Sequence, residues 1–157
     1  MSTGKTQLVT FRIGDDQFAA DIFSVERVLR HVKPRPVPDL PAWIEGVIEY
    51  QGRVIPVIDL RERFGVAGER PEGARFVICG VGDGWIAMTV DSVQDVTMID
   101  DVRVEPPPAI FRGLTRQYLK GLVRRPDGVV VVLDVAHLLT SQERLQLERA
   151  IGAGAAR

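Results

Sequence analysis

At 157 residues, with 45% apolar and 26% charged residues, the chain has the composition of a folded globular protein rather than a disordered one. The 20 Lys and Arg residues nearly balance 21 Asp and Glu, so no overall field favours nucleic acid or an anionic membrane. One cysteine, Cys79, excludes an internal disulfide framework, and without a signal-peptide core or a membrane-length apolar run the expected location is the cytoplasm.

Most apolar runs are short, rich in Val and Ile, and bounded by Gly, Asp or Pro, which predicts strands. Leu8 to Ile13, a Gly14-Asp15-Asp16 turn, and Phe18 to Ile22 read as a first hairpin. Lys33 to Pro41 carries prolines 34, 36, 38 and 41 and reads as a stiff, extended connection. A second hairpin runs from Gly46 to Tyr50, turns at Gln51-Gly52 and returns from Arg53 to Ile58. Pro56 cannot donate to a ladder, so its strand is expected at an edge or at a bulge. Phe76 to Val81, Gly82-Asp83-Gly84, and Trp85 to Val90 form a third hairpin. Pro106-Pro107-Pro108 opens a longer connection, and Gly121 to Val123 turns at Pro126-Asp127-Gly128 into Val129 to Leu133. After Leu139, Thr140 and Glu143 make a capping box, and Leu147, Ala150 and Ile151 share one helical face. Residues 1–6 and 152–157 read as flexible ends around one unit spanning 7–150.

The chain repeats itself. A shift of 68 positions sets Val9 on Val77, Gly14-Asp15 on Gly82-Asp83, Ala19 on Ala87 and Ser24-Val25 on Ser92-Val93. A shift of 75 sets Gly46 on Gly121, Val54-Ile55 on Val129-Val130, and Asp59 on Asp134. The difference places a seven-residue insertion in the second proline-rich connection. Two copies, at about 8–64 and 76–139, therefore predict a mainly β fold of two small barrels leaning on one another. An apolar groove is expected at the junction, a natural place for a partner.

No residue pattern calls for catalysis, a cofactor or a metal. Asp59 and Asp134 occupy equivalent strand ends, where an Asp accepts from the next backbone amides and starts a helical turn. His31 and His137 have no Cys, His or carboxylate at ligand spacing. Cys79 sits mid-strand and reads as core. Gly80 to Gly84 lacks the following Lys-Ser/Thr and helix of a phosphate loop, so it reads as a hairpin turn. Arginines at 61, 63, 70, 75, 124 and 125 are offset by neighbouring acids, and the aromatics sit at core-like positions, against a nucleic-acid groove.

Asp21-Ile22-Phe23-Ser24-Val25, Pro36-Val37-Pro38, Gly46-Val47-Ile48, Gly52 to Arg61 with Phe64-Gly65, Val90 to Val96, and Tyr118 to Gly121 occur in an order that resembles the CheW family of chemosensory coupling proteins. The resemblance covers about residues 7–150. It implies two intertwined five-stranded SH3-like barrels with short helices and a C-terminal helix. It also implies a non-enzymatic adaptor between the regulatory domain of a CheA-type histidine kinase and the cytoplasmic tips of chemoreceptors. The family's receptor-binding positions fall on Ile22 and Val25. Two departures stand out: Gln51, before Gly52, replaces the usual arginine, and Arg27 replaces the usual glutamate. Gln51 cannot make a bidentate charged contact. Arg27, Gln51 and Gly52 therefore mark either neutral surface drift or a changed partner, as in a specialised paralogue of a non-flagellar pathway.

Overall fold

The computed structural model describes residues 4–107 and 117–155. The described residues form ten strands: β1 Lys5–Ile13, β2 Asp16–Asp21, β3 Val25–Arg30, β4 Ile44–Tyr50, β5 Arg53–Asp59, β6 Arg75–Val81, β7 Gly84–Val90, β8 Ser92–Asp100, β9 Leu119–Arg125 and β10 Gly128–Leu133. Helix α1 spans Leu60–Phe64, and α2 spans Ser141–Ala155. The fold is mainly β, with two five-stranded sheets, short helices and a C-terminal helix.

The sheets are ordered β8-β1-β2-β10-β9 and β3-β6-β7-β5-β4. Each thus draws strands from both halves of the chain, and renumbering β1–β5 as β6–β10 converts one order into the other. The registers match as well. Val9 pairs with Ala20 as Val77 pairs with Met88, and the parallel contacts Val57–Ala87 and Val132–Ala19 are equivalent. Even the irregularities recur: the slip between Thr10 and Phe11 against β8 has its counterpart between Val25 and Arg27 against β6.

Burial follows from this exchange. Leu8, Ala19, Val123, Val130 and Val132 fill the first sheet's own interior; Tyr50, Ile55, Val57, Phe76 and Ile78 fill the second's. The larger cluster lies between the sheets and takes Phe11, Ile13 and Phe18 from one, and Ile58, Cys79 and Met88 from the other. Leu138, Leu139 and Leu147 complete it from the C-terminal segment. Neither copy alone could enclose that core.

Arg63 pins the same seam. Its guanidinium lies 4.0 Å from the Trp43 ring centroid and 5.9 Å from that of Tyr118, two aromatics equivalent under the repeat. It donates to the Leu138 carbonyl (2.9 Å) and to both Glu143 oxygens (3.2 and 2.9 Å). Glu143 is also the capping-box acid: it accepts from Thr140 N–H, and its own N–H donates to Thr140 Oγ1. One arginine therefore holds α2 against the junction.

Several expectations change in detail. β1 begins at Lys5, which pairs with Asp100, so residues 5 and 6 are strand rather than flexible end; α2 continues through Ala155. Strands β3 and β8 are added beyond the hairpins. The 33–41 connection stays extended only to Val37, after which Asp39 (φ 66°) turns it. Pro108 lies outside the described residues. Pro56 is neither at an edge nor at a bulge, since β5 lies between β7 and β4. Val47, opposite Pro56, gives its N–H and C=O to Arg35 instead. The missing Pro56 donor therefore faces away from β4, and the β7 ladder starts only at Val57.

The Arg35–Val47 and Glu105–Leu122 bridges need glycine beside them. A Cβ on Gly46 (φ 144°) would overlap the Arg35 carbonyl, and one on Gly121 would fall 2.7 Å from the Glu105 carbonyl oxygen. Gly52 (φ 78°) has open space instead. In urea unfolding, Gly46→Ala should cost about 3 kcal/mol or more, with Gly121→Ala also well above Gly52→Ala, which should cost about 1 kcal/mol from backbone conformation alone.

Candidate functional site

The turn after β2 is locally encoded. Asp21 Oδ1 accepts from Phe23 N–H (2.9 Å) and Ser24 Oγ donates to the Asp21 carbonyl (2.7 Å), fixing a 3-10 turn over Ile22–Ser24. Ile22 and Val25 are half-buried, and Val25 packs against the shared core. Phe23 points outward and is 95% exposed. A pocket of about 390 Å³ opens beside it, lined also by Asp21, Ser24, Gly80, Lys120 and Leu133 to Ala136. It lies at the junction of the two sheets, but its lining is mixed rather than the apolar groove expected. Neither Ile22 nor Val25 lines it.

The repeat explains why the pocket is open. Phe23 is equivalent to Asp91, and Ala136 to Arg61. In the other half of the molecule Asp91 accepts from Gly14 N–H (2.7 Å) and takes a two-pronged contact from Arg61 (2.8 and 2.6 Å). An ion pair closes one seam where Phe23 and Ala136 leave its counterpart open. Phe23 was absent from the sequence-derived site; its signal was an aromatic standing opposite an acid within an otherwise matched Ser-Val block.

Arg27, Gln51 and Gly52 form a second patch. Arg27 stacks over the buried Tyr50 ring at 5.9 Å, and Gln51 Nε2 donates to the Tyr50 hydroxyl (3.3 Å). Gln51 and Gly52 both take positive φ (50° and 78°), as a tight hairpin turn requires. Tyr50 meets Trp85 edge-on at 5.1 Å, and Arg53 lies 5.2 Å over Trp85. The two departures from the family pattern are thus joined through one tyrosine.

The remaining candidates have structural partners. Asp59 Oδ1 accepts from Arg61 N–H (3.0 Å) and caps α1 as expected. Asp134 differs: it makes no side-chain cap and pairs with His137 Nδ1 (2.8 Å). His31 approaches Glu45 (3.2 Å), which also accepts from Arg70 and Thr89, and its ring packs on Phe76. Among the described residues no group of three or more His, Cys, Asp or Glu could hold a metal ion. Among the same described residues no helix is long and apolar enough to cross a membrane.

With this geometry in view, known proteins supply the family. The CheW-like domain profile matches residues 7–143. The chain belongs to the CheW family. The chemotaxis protein CheW of Treponema pallidum is 31% identical over 147 residues, covering 90% of this chain and 86% of that protein. The FrzA protein of Myxococcus xanthus is 36% identical, covering 88% and 84%. The crystal structure of the scaffolding protein TtCheW from Thermoanaerobacter tengcongensis superimposes with a TM-score of 0.82 at 28% identity, covering 89% and 96%. As a CheW-family chemotaxis scaffold, the chain is not an enzyme.

Two buried groups yield direct tests. Burial pushes the Cys79 thiol up to about 12, so a disulfide reagent should label it only at the rate of global unfolding; rapid native labelling would contradict that placement. Burial first, then the Glu45 carboxylate, raise Asp59 above its ordinary 3.8, against the Glu62 and Arg61 amides and Arg70. The folded state therefore holds this proton more tightly. The associated stability is present below pH 3.8 and is lost as pH rises through the raised value. Asp59→Asn, which keeps the capping oxygen, should gain on wild type over that rise in urea unfolding; parallel profiles would refute it.

Proposed function

We propose that this chain is the cytoplasmic adaptor that couples chemoreceptor tips to the regulatory domain of a CheA-type histidine kinase, working by binding alone. Ile22 and Val25 brace the receptor-binding turn, and Phe23 supplies its exposed contact. The observation that carries this reading is the 95% exposed Phe23 at the mouth of the junction pocket. A large aromatic held in water by a capped turn gains contact free energy when a partner covers it.

Phe23→Ala separates binding from folding, because the ring contributes little to the folded core. Its removal should weaken binding of a receptor cytoplasmic fragment by about 10-fold to 100-fold, with an unchanged melting temperature. Val25→Asp should weaken it further by placing a carboxylate at a half-buried position. Isothermal titration of both variants against the fragment checks this. Wild-type affinity in a folded Phe23→Ala protein would remove the turn from the receptor site.

A second reading, a specialised paralogue with altered partner contacts, draws support from the Arg27–Tyr50–Gln51 contact. The replaced residues are tied into one packed feature, whereas neutral drift carries no requirement that they meet.

A further inference from the structure

The pocket beside Phe23 has a counterpart in the other half of the molecule, and that counterpart is filled. Under the repeat, the pocket residues Asp21, Lys120 and Asp134 correspond to Thr89, Glu45 and Asp59. The backbone bears out the equivalence. Ile44 pairs with Ile58 as Leu119 pairs with Leu133, and Leu8 with Asp21 as Phe76 with Thr89. Asp59 N–H donates to the Trp43 carbonyl as Asp134 N–H does to that of Tyr118, both at 2.8 Å.

Arg70 occupies the filled site. Its Nη1 donates to Glu45 Oε1 (2.8 Å) and lies 3.7 Å from Asp59 Oδ2, while Thr89 Oγ1 donates to the same Glu45 oxygen (2.6 Å). His31 stands against Glu45 in this site as His137 stands against Asp134 in the other. Both sites thus hold two carboxylates, one full cation and one histidine. What differs is where the cation comes from. Lys120 belongs to the wall of the open pocket; it is exposed and, among the described residues, makes no ion pair. Arg70 enters from the connection after α1 and takes up the space itself.

One position sends the chain two ways. Gly65 (φ 69°) ends α1, whereas its counterpart Thr140 caps α2 and leads the chain away. Residues 66–73 then cross the filled site. Val66 packs on the shared core and its N–H donates to the Arg61 carbonyl (2.8 Å); the Ala67 carbonyl accepts from Arg61 Nη1 (2.9 Å). Residues 67–69 and 71–73 are exposed, and only Arg70 between them is half-buried. Glu69 and Glu72 lie in those exposed stretches, where water and salt screen them from the site. A segment with so little burial is held chiefly by its one inserted side chain.

We propose that residues 66–73 are a strap whose Arg70 plugs a duplicate of the junction pocket, so that the chain keeps a single open mouth. The duplicate is a guanidinium site filled from within, and the Arg61–Asp91 pair completes its closure where Ala136 and Phe23 leave the other open. The single mouth rests on the receptor-site reading above; the strap does not.

A glutamyl endopeptidase cutting after Glu69 and Glu72 tests the strap without any partner. Arg70→Ser should speed cleavage at least about tenfold in the folded protein, with Arg70→Lys in between. An unchanged rate overturns the plug. Titration of a receptor cytoplasmic fragment then counts mouths. Wild type should show one site per chain, and so should Arg61→Ala/Asp91→Phe, which keeps Arg70; adding Arg70→Ser should give two. Two sites on the double variant, or one on a folded triple variant, overturns the restriction by Arg70. No binding by the wild type overturns the receptor reading and the single mouth with it, while the cleavage rate still decides the strap.

Discussion

Exchange of strands between the two copies is the constraint on which the rest of the structure depends. The parallel contacts of β2 with β10 and of β5 with β7 insert strands of one copy into a sheet begun by the other. The largest buried cluster then lies between the sheets and closes only when both are complete. Arg63 adds a lock at this seam, between Trp43 and Tyr118 and against Glu143. A buried charge so placed is weak evidence for net stability, but removing one partner leaves the other uncompensated. The two halves therefore act as one body.

On that symmetric frame the functional differences are local. The backbone registers, the slips and the glycine-dependent bridges recur in both copies. Asp91 and Arg61 seal one seam; Phe23 and Ala136 leave the other open. Arg27, Tyr50 and Gln51 build a contact on the first copy's strands, whereas the equivalent second-copy positions are Asp95, Arg125 and Pro126. Duplication supplies the scaffold, and unequal side chains turn its two ends into different surfaces. A rigid body with two chemically distinct faces suits a protein that works by holding partners in fixed relation.

The hairpins were legible in the sequence because alternating apolar residues stop at Gly-Asp, Gln-Gly or Asp-Gly turns, and the capping box marked α2 for the same local reason. Strands β3 and β8 were not: they are edges in which Glu26, Arg27 and Val28, or Gln94, Asp95 and Val96, are exposed, so no burial pattern announces them. Exchange between copies is not encoded locally either, since matching apolar patterns would satisfy either pairing. Pro56 misled because its effect depends on which neighbour its absent N–H would have faced. Of the candidate site, Arg27 and Gln51 could be read from the family pattern. Their meeting on Tyr50, and the projection of Phe23 into solvent, required the fold.

The most direct measurement of the central claim is whether one molecule of this chain holds both partners at once. Differently labelled receptor fragment and kinase regulatory domain can be followed by sedimentation velocity, with and without the chain. The two labels should move together as a single species only when the chain is present, in equal stoichiometry. Displacement of one partner by the other would contradict the account, because two separate faces on one rigid frame leave no reason for competition.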